Sequence, residues 1–134
     1  MKVSTIKTKK RLIIKNGVQY LILPVTGVAM FFIKERSVFV ISNNSRNYQF
    51  CKTLSEIENQ LDNKIFFRAN RHTIVNINFI KAFTVCESNK LRIEMNIHIP
   101  EPYVIISQET APLFKTWLCE CYWKQALFEN KKSS

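Results

Sequence analysis

Two short apolar runs, Arg11-Leu12-Ile13-Ile14-Lys15 and Val18-Gln19-Tyr20-Leu21-Ile22-Leu23, flank the pair Asn16-Gly17. Runs of this length bounded by turn residues have the dimensions of strands. Asn-Gly is the favoured centre of a type I′ turn because both residues tolerate positive φ. The pattern therefore predicts a β-hairpin turning at Asn16-Gly17. Pro24 closes its second strand, since proline has no N–H to give to a ladder.

The same texture continues. Val28 to Ile33 and Val38 to Ile41 read as strands around the polar turn Lys34-Glu35-Arg36-Ser37, and Tyr48 to Cys51 as a further strand after the loop 42–47. The period then changes. Thr53-Leu54-Ser55-Glu56 fits a capping box, and Leu54, Ile57 and Leu61 recur at helical spacing, which predicts a short amphipathic helix over 54–61. Ile80 to Cys86 and Lys90 to Met95 form a second hairpin turning at Glu87-Ser88-Asn89. Pro100 and Pro102 interrupt the chain before a strand at Tyr103 to Ile106. A last helix carries Leu113, Phe114, Trp117, Leu118 and Cys121 on one stripe. Either Ser107 or Thr110 can cap it, with Pro112 better placed in a first turn that Thr110 caps. The fold class is thus mainly β: small antiparallel sheets with one short helix and a C-terminal helix. Residues 1–9 read as a basic tail, 10–120 as the domain, and 121–134 as a helix end and frayed tail.

A chain of 134 residues is one domain. Its 20 Lys and Arg against 10 Asp and Glu leave a formal charge of +10, which implies an anionic partner. Residues 1–53 hold ten of those cations against one acid, around the tail, Lys34–Arg36 and Arg46–Lys52, which suggests one basic face. No apolar run approaches the roughly 18 residues that span a bilayer, and the N-terminus lacks a signal-peptide pattern, so a cytoplasmic protein without membrane contact is expected. Cys51, Cys86, Cys119 and Cys121 stand where apolar residues are expected and read as reduced, buried thiols. Their spacing suits no metal, and no cofactor is expected.

One stretch has the chemistry of recognition. Phe66-Phe67-Arg68-Ala69-Asn70-Arg71-His72-Thr73-Ile74-Val75-Asn76 sets a polar knot between apolar flanks. Buried flanks would hold that knot rigidly at a surface, as reading a nucleic acid requires. Arg71 can offer a fork to a guanine edge and Asn70 an amide to adenine, while His72 and Thr73 can hold phosphate oxygens. The plainer alternatives are specific. The knot can be a solvated turn between two strands, and Arg68 can pair with a helix carboxylate such as Glu56 or Glu58. Asn76 suits a turn cap better than a DNA contact, His98 reads as a strand residue without a role, and the stripe with Phe114 and Trp117 as core or a dimer contact.

With these landmarks in order, the sequence resembles the LytTR family of bacterial DNA-binding domains from about Lys10 to Leu118. Four segments carry the likeness: Pro24-Val25-Thr26-Gly27-Val28 followed by Phe31-Phe32, residues 53–61, residues 66–76, and Val104-Ile105-Ile106-Ser107. The resemblance implies an elongated set of small antiparallel sheets and a role as the output domain of a two-component response regulator. It implies reading by loops that enter successive major grooves of a bent duplex. The loops would be Lys34-Glu35-Arg36-Ser37; Asn70-Arg71-His72 with Arg68 behind; and Ser107-Gln108. The family usually has histidine at the place of Asn70, a small or neutral residue at that of His72, and arginine at that of Gln108. Glutamine pairs better with adenine than with guanine, so the base preferred there is open.

The function expected is sequence-specific transcription regulation on double-stranded DNA, with two copies on repeated half-sites and a receiver domain or sensor kinase upstream. The sequence as given holds no receiver domain, which leaves a stand-alone regulator and the output part of a longer one both open. A basic β-rich RNA-binding module is the alternative, and would need aromatics exposed on a sheet face. A protein-interaction module anchored by Trp117, Tyr122 and Trp123 is the third. No nucleophile–base pair, paired carboxylates or glycine-rich phosphate loop points to an enzyme.

Overall fold

The computed structural model describes residues 8–100 and 103–121. Residues 1–7 of the segment 1–9, Glu101, Pro102, Tyr122, Trp123 and the rest of 122–134 lie outside the described residues, as does the Cys121 side chain. Among the described residues, ten strands form three antiparallel sheets. Strands β1 (Arg11–Asn16) and β2 (Gln19–Pro24) make a two-stranded hairpin. Strands β3 (Val28–Lys34), β4 (Ser37–Ser42), β5 (Asn47–Phe50), β6 (Phe66–Asn70) and β7 (Thr73–Asn76) make a five-stranded sheet in the order β5-β4-β3-β7-β6. Strands β8 (Ile80–Val85), β9 (Leu91–Met95) and β10 (Val104–Ile106) make the third, in the order β10-β9-β8. The helices are α1 (Leu54–Gln60) and α2 (Ala111–Cys121).

The five-stranded sheet is the middle layer, and the side-chain alternation of its strands feeds two cores. Phe31 and Ile74 point to one face, with Leu12 and Ile14 of β1 and Leu54 and Ile57 of α1. Met30, Phe32 and Val75 point to the other, against Leu91 and Ile93 of β9 and Phe114 of α2. The central strand β3 is accordingly apolar along almost its whole length. Phe67 ties the edge strand β6 to α2, with ring centroids 5.4 Å from Phe114 and 5.0 Å from Trp117. Trp117 is itself core, 9% exposed, and its indole Nε1–H donates to the Asn63 carbonyl at 2.8 Å.

Local signals in the sequence mostly reappear. Thr53 caps α1 through a reciprocal pair: its Oγ1 accepts from the Glu56 N–H at 3.1 Å, and Glu56 Oε1 accepts from the Thr53 N–H at 2.9 Å. Asn76 is fully buried. Its Oδ1 accepts from the Asn78 N–H and its Nδ2 donates to the Val28 carbonyl, both at 2.8 Å, so it caps a 3-10 turn at Ile77–Phe79 and ties it to β3. Ser107 and Thr110 divide the start of α2 between them. The Ser107 hydroxyl accepts from the Thr110 N–H, and Thr110 stands directly before the first helical residue.

Four expectations are corrected. The first hairpin turns at Gly17-Val18, one residue later than Asn16-Gly17, because β1 runs through Asn16, which pairs with Gln19. Only the glycine takes a positive φ there, +69°, the arrangement of a turn with glycine first. His98 lies in the loop after β9, where its N–H donates to Ser45 Oγ at 3.2 Å. The thiols are not a buried set: Cys51 is exposed in the bend leading to α1, and Cys86 and Cys119 are half-buried. Arg46 sits at the opposite end of the five-stranded sheet from Lys34 and Arg36, its carbonyl accepting from the Ser42 N–H, so the basic residues do not gather at one place.

Candidate nucleic-acid interface

Antiparallel pairing decides which turns meet. Strand β3 runs into the turn 35–36, and β7 leaves the turn 71–72 beside it, since Phe32 pairs with Thr73 and Phe31 with Ile74. The Ile33 N–H donates to the His72 carbonyl at 2.9 Å, which joins the two hairpin tips. Strand β5 ends at the same end of the sheet, because Phe50 pairs with Val38, so Lys52 emerges there too. The turn after β10 completes the group: the Asn70 amide nitrogen donates to the Ile105 carbonyl at 2.8 Å, and Ser107 and Thr110 share a cleft with Asn70, Arg71 and His72. Three turns distant in sequence thus form one rim.

Each residue of the rim has a definite state. Lys34, Arg36, Arg71, His72 and Gln108 are exposed. Arg71 has no side-chain partner among the described residues. Glu35 and Arg36 sit at the tip of the β3–β4 hairpin with φ of +52° and +70°. Left-handed backbone costs an ordinary L-residue about 1–2 kcal/mol, so two adjacent side chains held there, neither glycine nor asparagine, are strain kept at a surface tip. Ser37 is half-buried, and its Oγ accepts from Gln49 Nε2 at 3.2 Å.

Three residues of the recognition stretch are less free to meet a ligand than their polarity suggested. Thr73 is 8% exposed, on β7 beside Phe32, because β7 is enclosed between β3 and β6, which leaves little of it for a phosphate. Arg68 does not stand ready for phosphate. Its Nη1 donates to Glu58 Oε1, its Nε to the Asn70 carbonyl and its Nη2 to the Arg71 carbonyl, each at 2.9 Å. Glu56 is committed to the capping box, which leaves Glu58 as the carboxylate partner. Asn70 is engaged at both ends of its amide, since its Oδ1 also accepts from the His72 N–H at 2.8 Å. It is a brace of the turn before it is a reader.

Lys52 is the cation that the sequence reading left outside the reading loops. Its signal was the register of β5, which needs the pairing partner to be known. Taken together, the rim presents cations on two of its three turns and at Lys52, while the third turn brings Ser107 and Gln108, with the acid Glu109 in the shared cleft. That defines a β-scaffolded, turn-presenting binding domain. Comparison with known proteins gives the family. Residues 18–119 match the LytTr DNA-binding domain family, and the chain belongs to it. A solved structure from Bacillus cereus, the LytTr DNA-binding domain of a protein described as a methyl-accepting/DNA response regulator, superposes with a TM-score of 0.71 at 24% identity. The match covers 82% of this chain and 97% of that one. No curated protein matches the chain. Among the described residues, no helix is long and apolar enough to cross a membrane.

Proposed function

We propose that this chain is a sequence-specific transcription regulator that binds double-stranded DNA and reads successive major grooves through its three turns. The observation that carries the reading is the convergence of Lys34–Ser37, Asn70–His72 and Ser107–Gln108 on one rim, joined by the Ile33–His72 and Asn70–Ile105 hydrogen bonds. Arg71 offers its fork to guanine O6 and N7, and Gln108 an amide suited to adenine. Lys34, Arg36, His72 and Lys52 take phosphate oxygens, which position the domain without carrying sequence information. Ser107 shapes its turn and lies close enough to the rim to donate to phosphate.

The aromatics favour duplex over single-stranded RNA. Phe31, Phe32 and Phe66 are buried, and Phe39 and Phe67 half-buried against the cores, which leaves none of them as an exposed stacking platform. Trp117 is core as well, which removes it as an interaction anchor. The reading involves no chemical step. It places the protein in the bacterial cytoplasm, downstream of a receiver domain or sensor kinase, with two copies on repeated half-sites, since one module of this size gives limited affinity.

Selection from a random duplex pool, run beside a single-stranded RNA pool, tests this. Enrichment of a duplex motif with two spaced half-sites is expected. Enrichment from the RNA pool alone would contradict it.

A further inference from the structure

Arg68 is a cation of the recognition stretch whose three guanidinium nitrogens each donate within the protein. Two of its bonds go to consecutive carbonyls, Asn70 and Arg71, and the third reaches back to Glu58 on α1. The ladder between β6 and β7 shifts register between Arg68 and Asn70, so the strand bulges as it enters the turn. A guanidinium is planar and its N–H groups have fixed directions. Holding two successive carbonyls therefore fixes the tilt of the peptides on either side of Arg71, and with it the direction in which the Arg71 side chain leaves the rim.

We infer that Arg68 is a positioning residue that aims Arg71, and that Glu58 is the anchor holding Arg68 in place. The inference deepens the proposed function and rests on Arg71 as the base reader. The Glu58–Arg68 pair is partly exposed, with side chains 50% and 26% accessible, and such pairs add little to global stability. Its effect is orientation. The consequence runs against simple electrostatics: Glu58 is an acid in a domain that binds a polyanion, yet removing it weakens binding to the selected site.

The test uses the full chain, a duplex selected from a random pool and a scrambled duplex of equal length. Binding of both is measured for wild type, Arg68→Lys, Arg68→Ala and Glu58→Gln across a salt series. Arg68→Lys keeps the charge and loses the fork, so it should lower selected-site affinity about 3- to 10-fold while leaving scrambled-duplex affinity and the salt slope as in wild type. Glu58→Gln should lower selected-site affinity about 2- to 3-fold without weakening the scrambled duplex. If Arg68→Lys binds as wild type, and Arg68→Ala weakens both duplexes equally with a slope lower by about 0.9, Arg68 is a phosphate contact and the inference fails. Undiminished selected-site binding by both Arg68→Lys and Glu58→Gln also overturns it. A wild type that does not distinguish the two duplexes overturns instead the base-reading role, and the inference with it. Should Arg68→Ala not fold, the other two variants decide.

Discussion

The side-chain amide of Asn70 donates to the backbone carbonyl of Ile105, 35 residues further along the chain, at 2.8 Å. This one bond joins the turn between β6 and β7 to the strand that delivers Ser107 and Gln108. It couples two of the three turns across the gap between two sheets. The same side chain accepts from His72 within its own turn. Replacing Asn70 by alanine removes both bonds. Each is worth about 0.5–1.5 kcal/mol, so a loss of about 1–3 kcal/mol in a urea melt is expected. Selected-site affinity should fall with it, as the turns lose their common register. An unchanged melt would mean that the two turns are placed without this bond.

The strained tip predicts opposite effects on stability and binding. Arg36→Gly relieves the left-handed backbone at φ +70° and should leave stability equal or higher by up to about 1 kcal/mol, the added chain entropy of glycine offsetting part of the gain. The same change removes a proposed phosphate contact and should weaken binding to every duplex. Loss of stability with full DNA affinity would place the strain, and the contact, elsewhere.

Base reading and phosphate holding separate by salt and sequence. Arg71→Ala should lower selected-site affinity by about 1–3 kcal/mol and relax preference at one base position. Lys34→Ala and Lys52→Ala should weaken selected and scrambled duplexes alike, each reducing the log–log salt slope by about 0.9. A wild-type slope for Lys52→Ala would exclude it from the rim's contacts. Gln108→Arg should move the preference at one position towards guanine, measured by binding to operator variants.

The capping box is structural and should behave so. Thr53→Ala should cost about 1 kcal/mol of stability with DNA affinity unchanged for a fully folded sample. The Glu56 carboxyl is held below its ordinary value, chiefly by the backbone N–H of Thr53, against the opposing effect of desolvation and with lesser help from the Thr53 side chain and nearby Lys52. A lowered carboxyl stabilises the fold above its ordinary pKa and ceases to as pH falls through the lowered value. The stability difference between wild type and Glu56→Gln should therefore be present at neutral pH and shrink in acid. A difference that grows in acid would contradict the assignment.

What was legible in the sequence was local. The capping box at Thr53 and Glu56, the helical spacing of Leu54, Ile57 and Leu61, and the turn role of Asn76 are all carried by residues a few positions apart. The family likeness rested on similar runs. What failed to show depended on partners that leave no mark in the letters. The Ile105 carbonyl that takes the Asn70 amide is backbone and looks the same at any residue. The Glu58–Arg68 pair could be named as an alternative, but choosing it over Glu56 required knowing that Glu56 was occupied. Thr73 read as polar and hence available, although β7 lies inside the sheet and buries both its faces. Lys52 gained its place from the pairing of β5 with β4, and Arg46 was carried to the far end by that same pairing.

The proposed function requires that one rim, built from three turns, meets the duplex. Amide chemical shifts followed during titration with a selected duplex test it most directly. The largest changes are expected at Lys34–Ser37, Lys52, Arg71–His72 and Ser107–Gln108, with Arg46 and the Gly17-Val18 tip unmoved. Changes centred on the β1–β2 hairpin or the loop around Arg46, with those turns silent, would contradict it.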